Sequence, residues 1–343
     1  MILKPEILFL LNPLENPPPE NWEDFEFLVT HHRYYHILEE VFRKYSGVMP
    51  AEVKTRLKET YSGQLQKQLL LAGELQTICD LLNRDGLFYL HLKGTTLALQ
   101  LYGKISERIT QDIDFLIGEK DIDKVLKLFA TLGYRIIRKE RDKPEHYFRS
   151  IKKNYSLIHP GKRILVELHW GLFSNRYFYP RQRSLSEATG FHLLNQTQVR
   201  TMNRENTFLY LCMHGIYHEY FRLFWLRDIA EILKNWKPDY TKIVSKAGSE
   251  GMLRIVASSA ILAGEVFNIT TPFDDYKNDP SIRWIVNHNL SAINRSSLPK
   301  PTDRIRRIFY FMKLKKGWRY KAECFLGIAR RYWIMQQHLN IKS

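Results

Sequence analysis

Apolar residues alternate with polar ones most sharply in two short runs, Gln111–Ile117 and Arg163–Trp170, and elsewhere recur mainly at helical spacing. Alternation is the signature of a strand, because successive side chains leave a pleated backbone on opposite faces. Around these runs the pattern predicts further strands at Leu87–Leu92, Tyr134–Arg138 and Tyr147–Ile158, the last turned into Arg163–Trp170 at His159-Pro160-Gly161. Helices are predicted over 21–46 and 50–84, the second rich in Leu, Gln, Lys and Glu and stopped by Asn83, Asp85 and Gly86. Shorter helices follow at Thr96–Tyr102 and from an Asp121 cap to Leu132, where Gly133 ends the turn. Beyond Tyr179-Pro180 the strand signal fades. Glu205–Trp236, Tyr240–Ala247, Met252–Phe267, Ser281–Leu290 and Arg304–Gln337 all read as helical, with Ser297–Pro301 as a linker.

These elements predict an α+β chain in three parts. Residues 1–65 form an N-terminal helical region, 66–180 a mixed sheet with helices, and 181–343 a C-terminal helical domain. A length of 343 residues suits two or three packed units, at about 100–200 residues per domain.

Within the first alternating run, Asp112 and Asp114 fall on one strand face and Ile113, Phe115 and Ile117 on the other. Two neighbouring carboxylates repel unless a cation lies between them, and hard divalent ions favour clustered carboxylate oxygens. In the second run Glu167 shares a face with Leu165 and His169, and an acid in an apolar strand needs a partner. A metal shared with Asp112 and Asp114 would be one. Three carboxylates holding Mg2+ or Mn2+ can orient an attacking oxygen and a triphosphate for in-line displacement at the α-phosphorus.

Lys93-Gly94, then Leu99, Tyr102, Arg108, Asp112-Ile113-Asp114, Leu132-Gly133-Tyr134 and Val166-Glu167-Leu168-His169-Trp170 form an ordered set. That set resembles the uncharacterised nucleotidyltransferase family of the DNA polymerase β-like superfamily, over about 70–240 when the later His214-Gly215-x-x-His218 is included. The resemblance implies a polymerase β-like palm, Mg2+ or Mn2+, an NTP such as ATP, and a metal triad of Asp112, Asp114 and Glu167. It also implies a triphosphate loop at Lys93-Gly94-Thr95, where many relatives carry Gly-Ser, so phosphate contact falls to backbone amides, Lys93 and Thr95. The third acid is Glu167 where many relatives have Asp. The Lys93–Leu99 run is also similar to toxin-type nucleotidyltransferases of abortive-infection systems.

Arg108 is a candidate partner for Asp112 or for phosphate, or one half of an ordinary ion pair. His169 reads as a packing residue or a support for the ligands. His214 and His218, like His32 and His36, have the i,i+4 spacing of a zinc pair without a third ligand, and read as packed helix faces. Asp228 reads as an anchor for its helix or a plain ion pair.

Charge adds a partner class. The chain carries a formal +16, and 301–343 holds 11 Lys and Arg against 2 Asp and Glu, so this basic tail is a candidate polyanion contact. Three isolated cysteines suit reduced thiols and a cytoplasmic setting, and no run approaches the roughly 20 apolar residues of a membrane span. The expected function is transfer of a nucleoside monophosphate from an NTP to an acceptor hydroxyl on a small molecule, protein or RNA. The alternatives are an inactive nucleotidyltransferase-fold binding or regulatory protein, a toxin-type enzyme acting on RNA, and a basic nucleic-acid-binding module.

Overall fold

The computed structural model describes residues 3–137, 149, 152–173, 189–295, 304–322, 324 and 326. Its centre is a five-stranded mixed sheet of β1 (Tyr89–His91), β2 (Asp112–Ile117), β3 (Arg135–Ile137), β4 (Asn154–His159) and β5 (Ile164–His169), in the order β1-β2-β5-β4-β3. β2 and β5 run parallel and every other pairing is antiparallel. The central pair are the two runs with the clearest alternation, as expected of strands that bury one face in an apolar core and carry their acids on the other.

Helices α1 (Pro5–Leu11), α2 (Trp22–His32), α3 (Leu38–Tyr45) and α4 (Ala51–Arg84) precede the sheet. Along α4 the buried positions Leu71, Leu75, Ile78, Cys79 and Leu82 repeat at helical spacing and pack beneath β2 and β5 against Ile113, Phe115, Val166 and Leu168. The same core receives α6 (Ile122–Thr131) through Val125 and Phe129, while α5 (Thr95–Tyr102) follows β1. The early part of α4, with Val53 and Leu57, belongs to a second and larger core. That core joins α1–α3 to α7 (Arg204–Tyr217), α8 (Leu223–Glu231), α9 (Tyr240–Ser249), α10 (Leu253–Phe267), α11 (Pro280–Ile293) and α12 (Arg304–Leu314), and takes in Leu90 and Leu116 from the sheet. Residue 65 therefore lies inside one continuous helix, and chain from both ends packs over the sheet face that carries the acids.

Three differences from the sequence expectation have physical causes. Residues 189–202 form a hairpin, β6 (Thr189–Leu194) with β7 (Thr197–Met202), where no strand is predicted. Its apolar residues lie on both faces, Phe191 and Leu193 exposed but Leu194 and Val199 buried, so no clean alternation survives. The single helix predicted over 21–46 breaks at Arg33, and that over 205–236 breaks at Glu219 and Tyr220, all three with positive φ and none a glycine. At the second break the Tyr220 ring folds back over Gly215, where a Cβ would stand 2.2 Å from Cε1, so only glycine fits.

Tyr147 of the predicted fourth strand, the Ser297–Pro301 linker and the end of the basic tail from 327 on lie outside the described residues. Where the tail is described, Arg307 pairs with Glu219 at 3.3 Å and Lys315 is buried, so part of its charge is engaged within the fold. Cys79 and Cys212 are buried free thiols. Among the described residues no helix is long and apolar enough to cross a membrane.

Candidate active site

Parallel register sets Asp112 beside Leu165, Asp114 beside Glu167 and Leu116 beside His169. Paired residues of neighbouring strands share a face, so Asp112, Asp114, Glu167 and His169 all project from the same side of the sheet. The apolar residues between them fill the opposite core.

The residue ahead of β2 is fixed by a reciprocal amide clamp. Gln68 of α4 donates through Nε2 to the Thr110 carbonyl at 2.9 Å and accepts from the Thr110 amide at 3.0 Å. The Thr110 hydroxyl then donates to Asp112 Oδ1 at 3.5 Å. On the other flank, the chain leaving β1 reaches Lys93-Gly94, and Gly94 caps α5 with φ 75° and ψ −132°, a conformation that excludes side chains with a Cβ. This turn directs Lys93 back onto the sheet, its Nζ 3.1 Å from Asp114 Oδ2. The contact is one of charge rather than aligned hydrogen bonding, since that oxygen is buried without a hydrogen-bond partner. Thr95 is buried in the first turn of α5.

His169 joins the acids. Its Nε2 lies 3.4 Å from both Asp114 Oδ1 and Glu167 Oε2. Burial works against the charged imidazole, but the two carboxylates outweigh it and push its pKa up to about 9. The same contact holds Glu167 below the usual carboxylate range. Burial would raise Asp114, yet Lys93 and His169 overcome it and hold this acid well down. Asp112, lacking such a partner, is raised by burial and by the charge of Asp114. The acids thus carry unequal proton affinities on one strand.

In the metal-free protein Asp114 and Glu167 stay ionised through neutral and alkaline pH, so His169 controls their compensation. Because its folded pKa is raised, its contribution to stability is complete below 6.5 and disappears as pH rises through about 9. Denaturation of EDTA-treated protein across that window should show stability falling, with the His169 ring proton titrating near the upper limit in NMR. A midpoint at the ordinary histidine value would contradict the contact.

The donor set suits a divalent cation. Asp114, Glu167 and His169 each offer one ligand atom, all within 4.8 Å of one another, and one Asp114 oxygen has no hydrogen bond. His169 takes a place in this compact set, which Asp112 borders on the same face. Alternation along β5 already puts His169 beside Glu167; its contact with Asp114 depends on the strand pairing.

Arg108 is directed elsewhere. It is buried and forks onto Asp228 of α8, with Nε 3.0 and 2.9 Å from the two carboxylate oxygens, and the Tyr102 hydroxyl also donates to Asp228 at 2.9 Å. It ties the loop before β2 to the helices above rather than meeting Asp112. His214 and His218 meet edge to face at 4.8 Å and pack on Trp225, and belong to no metal-ligating cluster among the described residues. His32 accepts from the Leu223 amide at 3.2 Å, and His36 packs on Tyr34.

The fold and site define an α+β protein with an acidic centre on a mixed sheet, compensated by its own cations. The family described as uncharacterised nucleotidyltransferase matches residues 18–268, and the chain belongs to that family. Among solved structures it is similar to an antigenic nucleotidyltransferase-like protein from Paracoccidioides brasiliensis, with 18% identity over 58% of this chain and 96% of that one, at a TM-score of 0.33. No curated protein matches the chain.

Proposed function

We propose that the protein transfers a nucleoside monophosphate from an NTP to an acceptor hydroxyl, using a polymerase β-like palm built on β2 and β5. The observation that carries this reading is the parallel register that sets Asp114 beside Glu167, with Asp112 two residues away on the same face. The acceptor oxygen bonds to the α-phosphorus, the bond from that phosphorus to the bridging oxygen breaks, pyrophosphate leaves with the electron pair, and the hydroxyl proton passes to solvent. When held by Asp112, Asp114 and Glu167, Mg2+ or Mn2+ supplies positive charge at the reacting phosphate. Lys93 and the amides opening α5 are assigned to the triphosphate, with Gly94 allowing the backbone to come close. Asp228 holds Arg108 in place as a support. The segments 1–65 and 181–343 flank the 66–180 palm in this reading, the three isolated cysteines suit a cytoplasmic setting, and the basic tail favours an anionic acceptor such as RNA.

Incubation with each labelled NTP, Mg2+ or Mn2+ and cell extract should give label transfer that Asp112→Ala and Asp114→Ala abolish. Identical behaviour of wild type and variants with every NTP and metal would remove the catalytic reading. One observation favours a second reading, a nucleotidyltransferase fold that binds without turnover: Lys93 and His169 neutralise Asp114 and Glu167 without any metal. That protein would bind NTP in the same experiment and transfer no label.

A further inference from the structure

Two arginines outside every motif lie where the end of α2 meets the start of α8, a junction held by His31 Nε2 at 3.1 Å from the Phe221 carbonyl and by the Leu223 amide donating to His32 Nδ1 at 3.2 Å. Arg33 ends α2 with φ 53°, a left-handed conformation that residues other than glycine seldom adopt. Its guanidinium carbon lies 5.6 Å from the centre of the Phe224 ring. Arg222 precedes α8 and lies 5.3 Å from the ring of Phe221 and 5.8 Å from that of Trp225. Both side chains are half-buried.

Among the described residues neither arginine has a carboxylate within ion-pair range, and Arg222 Nε is buried without any hydrogen-bond partner. Their neighbours differ: Arg108 forks onto Asp228, and Arg227 pairs with Glu107 at 2.9 Å. Burial and the nearby Arg222 push Arg33 down to about 10, and Asp112 opposes both effects. Burial lowers Arg222 as well, again against the pull of Asp112. Lys67 of α4 feels both Asp112 and Arg33, and it donates to the neutral Gln111 side chain at 2.5 Å. Two half-buried guanidinium groups on adjoining segments therefore stand without a carboxylate partner among the described residues, and holding like charges together partly out of water is costly without an anion.

We propose that Arg33 and Arg222, flanked by Lys67, form a phosphate-binding subsite beside Asp112. Its ligand is a phosphate group, from the polyphosphate of the nucleotide or from the acceptor. Guanidinium groups suit this role because their planar fork matches two phosphate oxygens at once. The rings of Phe221, Trp225 and Phe224 lie within cation–π range of the two guanidinium groups, and the strained backbone at Arg33 is the kind of local cost found where a side chain must be aimed. The location of the subsite rests on the transfer reading above, whereas its anion chemistry rests on the arginines alone.

The test is calorimetric titration of the full chain with inorganic tripolyphosphate in EDTA. Arg33→Gln and Arg222→Gln should each weaken binding roughly tenfold or more, as for loss of a charge-assisted contact, with Arg→Lys variants in between. Matching circular dichroism and thermal melts of the ligand-free variants separate lost binding from lost folding. Binding that is absent from the wild type, or unchanged in both glutamine variants, overturns the subsite. Displacement of tripolyphosphate by a non-hydrolysable NTP with Mg2+ assigns the subsite to the nucleotide, and simultaneous binding assigns it to the acceptor. Arginine-dependent binding without label transfer would sink the transfer reading alone, and transfer with arginine-independent binding would sink the subsite alone.

Discussion

Asp114→Asn is expected to lower label transfer by roughly 10²–10³-fold, the usual cost of removing one preorganised electrostatic contact to a transition state. The substitution keeps the shape of a side chain that is only 3% exposed, so lost charge rather than lost packing sets the effect. Lys93 and His169 both lean on this carboxylate, at 3.1 and 3.4 Å. Its neutralisation should return the His169 pKa toward 6.5, which NMR can follow independently of activity. Stability should fall by less than for an ordinary buried ion pair. The variant strands two cations, but it also relieves the repulsion that Asp114 exerts on Asp112 and Glu167. A variant that keeps full transfer would show that Asp114 is only a counter-ion for Lys93.

Asp228→Asn should give the largest loss of stability, about 3–5 kcal/mol in urea denaturation, because it leaves Arg108 charged, buried and unpaired. Both side chains are almost sealed from solvent, at 2% for Arg108 and 0% for Asp228. Burial raises the pKa of Asp228 despite the fork from Arg108, so at this pair the loss of hydration outweighs the attraction. The pair is therefore costly to break without being strongly stabilising as a whole. A double variant, Arg108→Met with Asp228→Leu, should recover most of the loss. If the double variant also transferred label normally, Arg108 would have no part in phosphate binding.

The strands that carry the acids are legible in the sequence because β2 and β5 are buried on one face by uninterrupted apolar residues and polar on the other. A period of two then puts Asp112 with Asp114 and Glu167 with His169 independently of any strand pairing. The long helix α4 is equally legible, since Leu, Gln, Lys and Glu dominate between Pro50 and Asp85 despite Gly63 and Gly73. What stays hidden depends on contacts distant in sequence. Arg108 meets Asp228 across 120 positions, and no local pattern marks that pairing. The turn at Asn195-Gln196 lacks glycine, and its hairpin buries Thr197 and Thr201 while exposing Phe191, so composition argues against the strands that form. Arg33 carries no local signal because its helix ends in a left-handed turn without glycine or asparagine, the residues that ordinarily announce one.

The proposed nucleotidyl transfer would require β2 and β5 to hold a divalent cation and a nucleotide on one sheet face. Anomalous X-ray scattering from crystals soaked with Mn2+ and a non-hydrolysable NTP tests that requirement most directly. The expected result is a Mn2+ peak bounded by Asp112, Asp114 and Glu167, with the α-phosphate beside it. Mn2+ bound elsewhere, with Lys93 and His169 still paired to Asp114 while nucleotide is present, would contradict it.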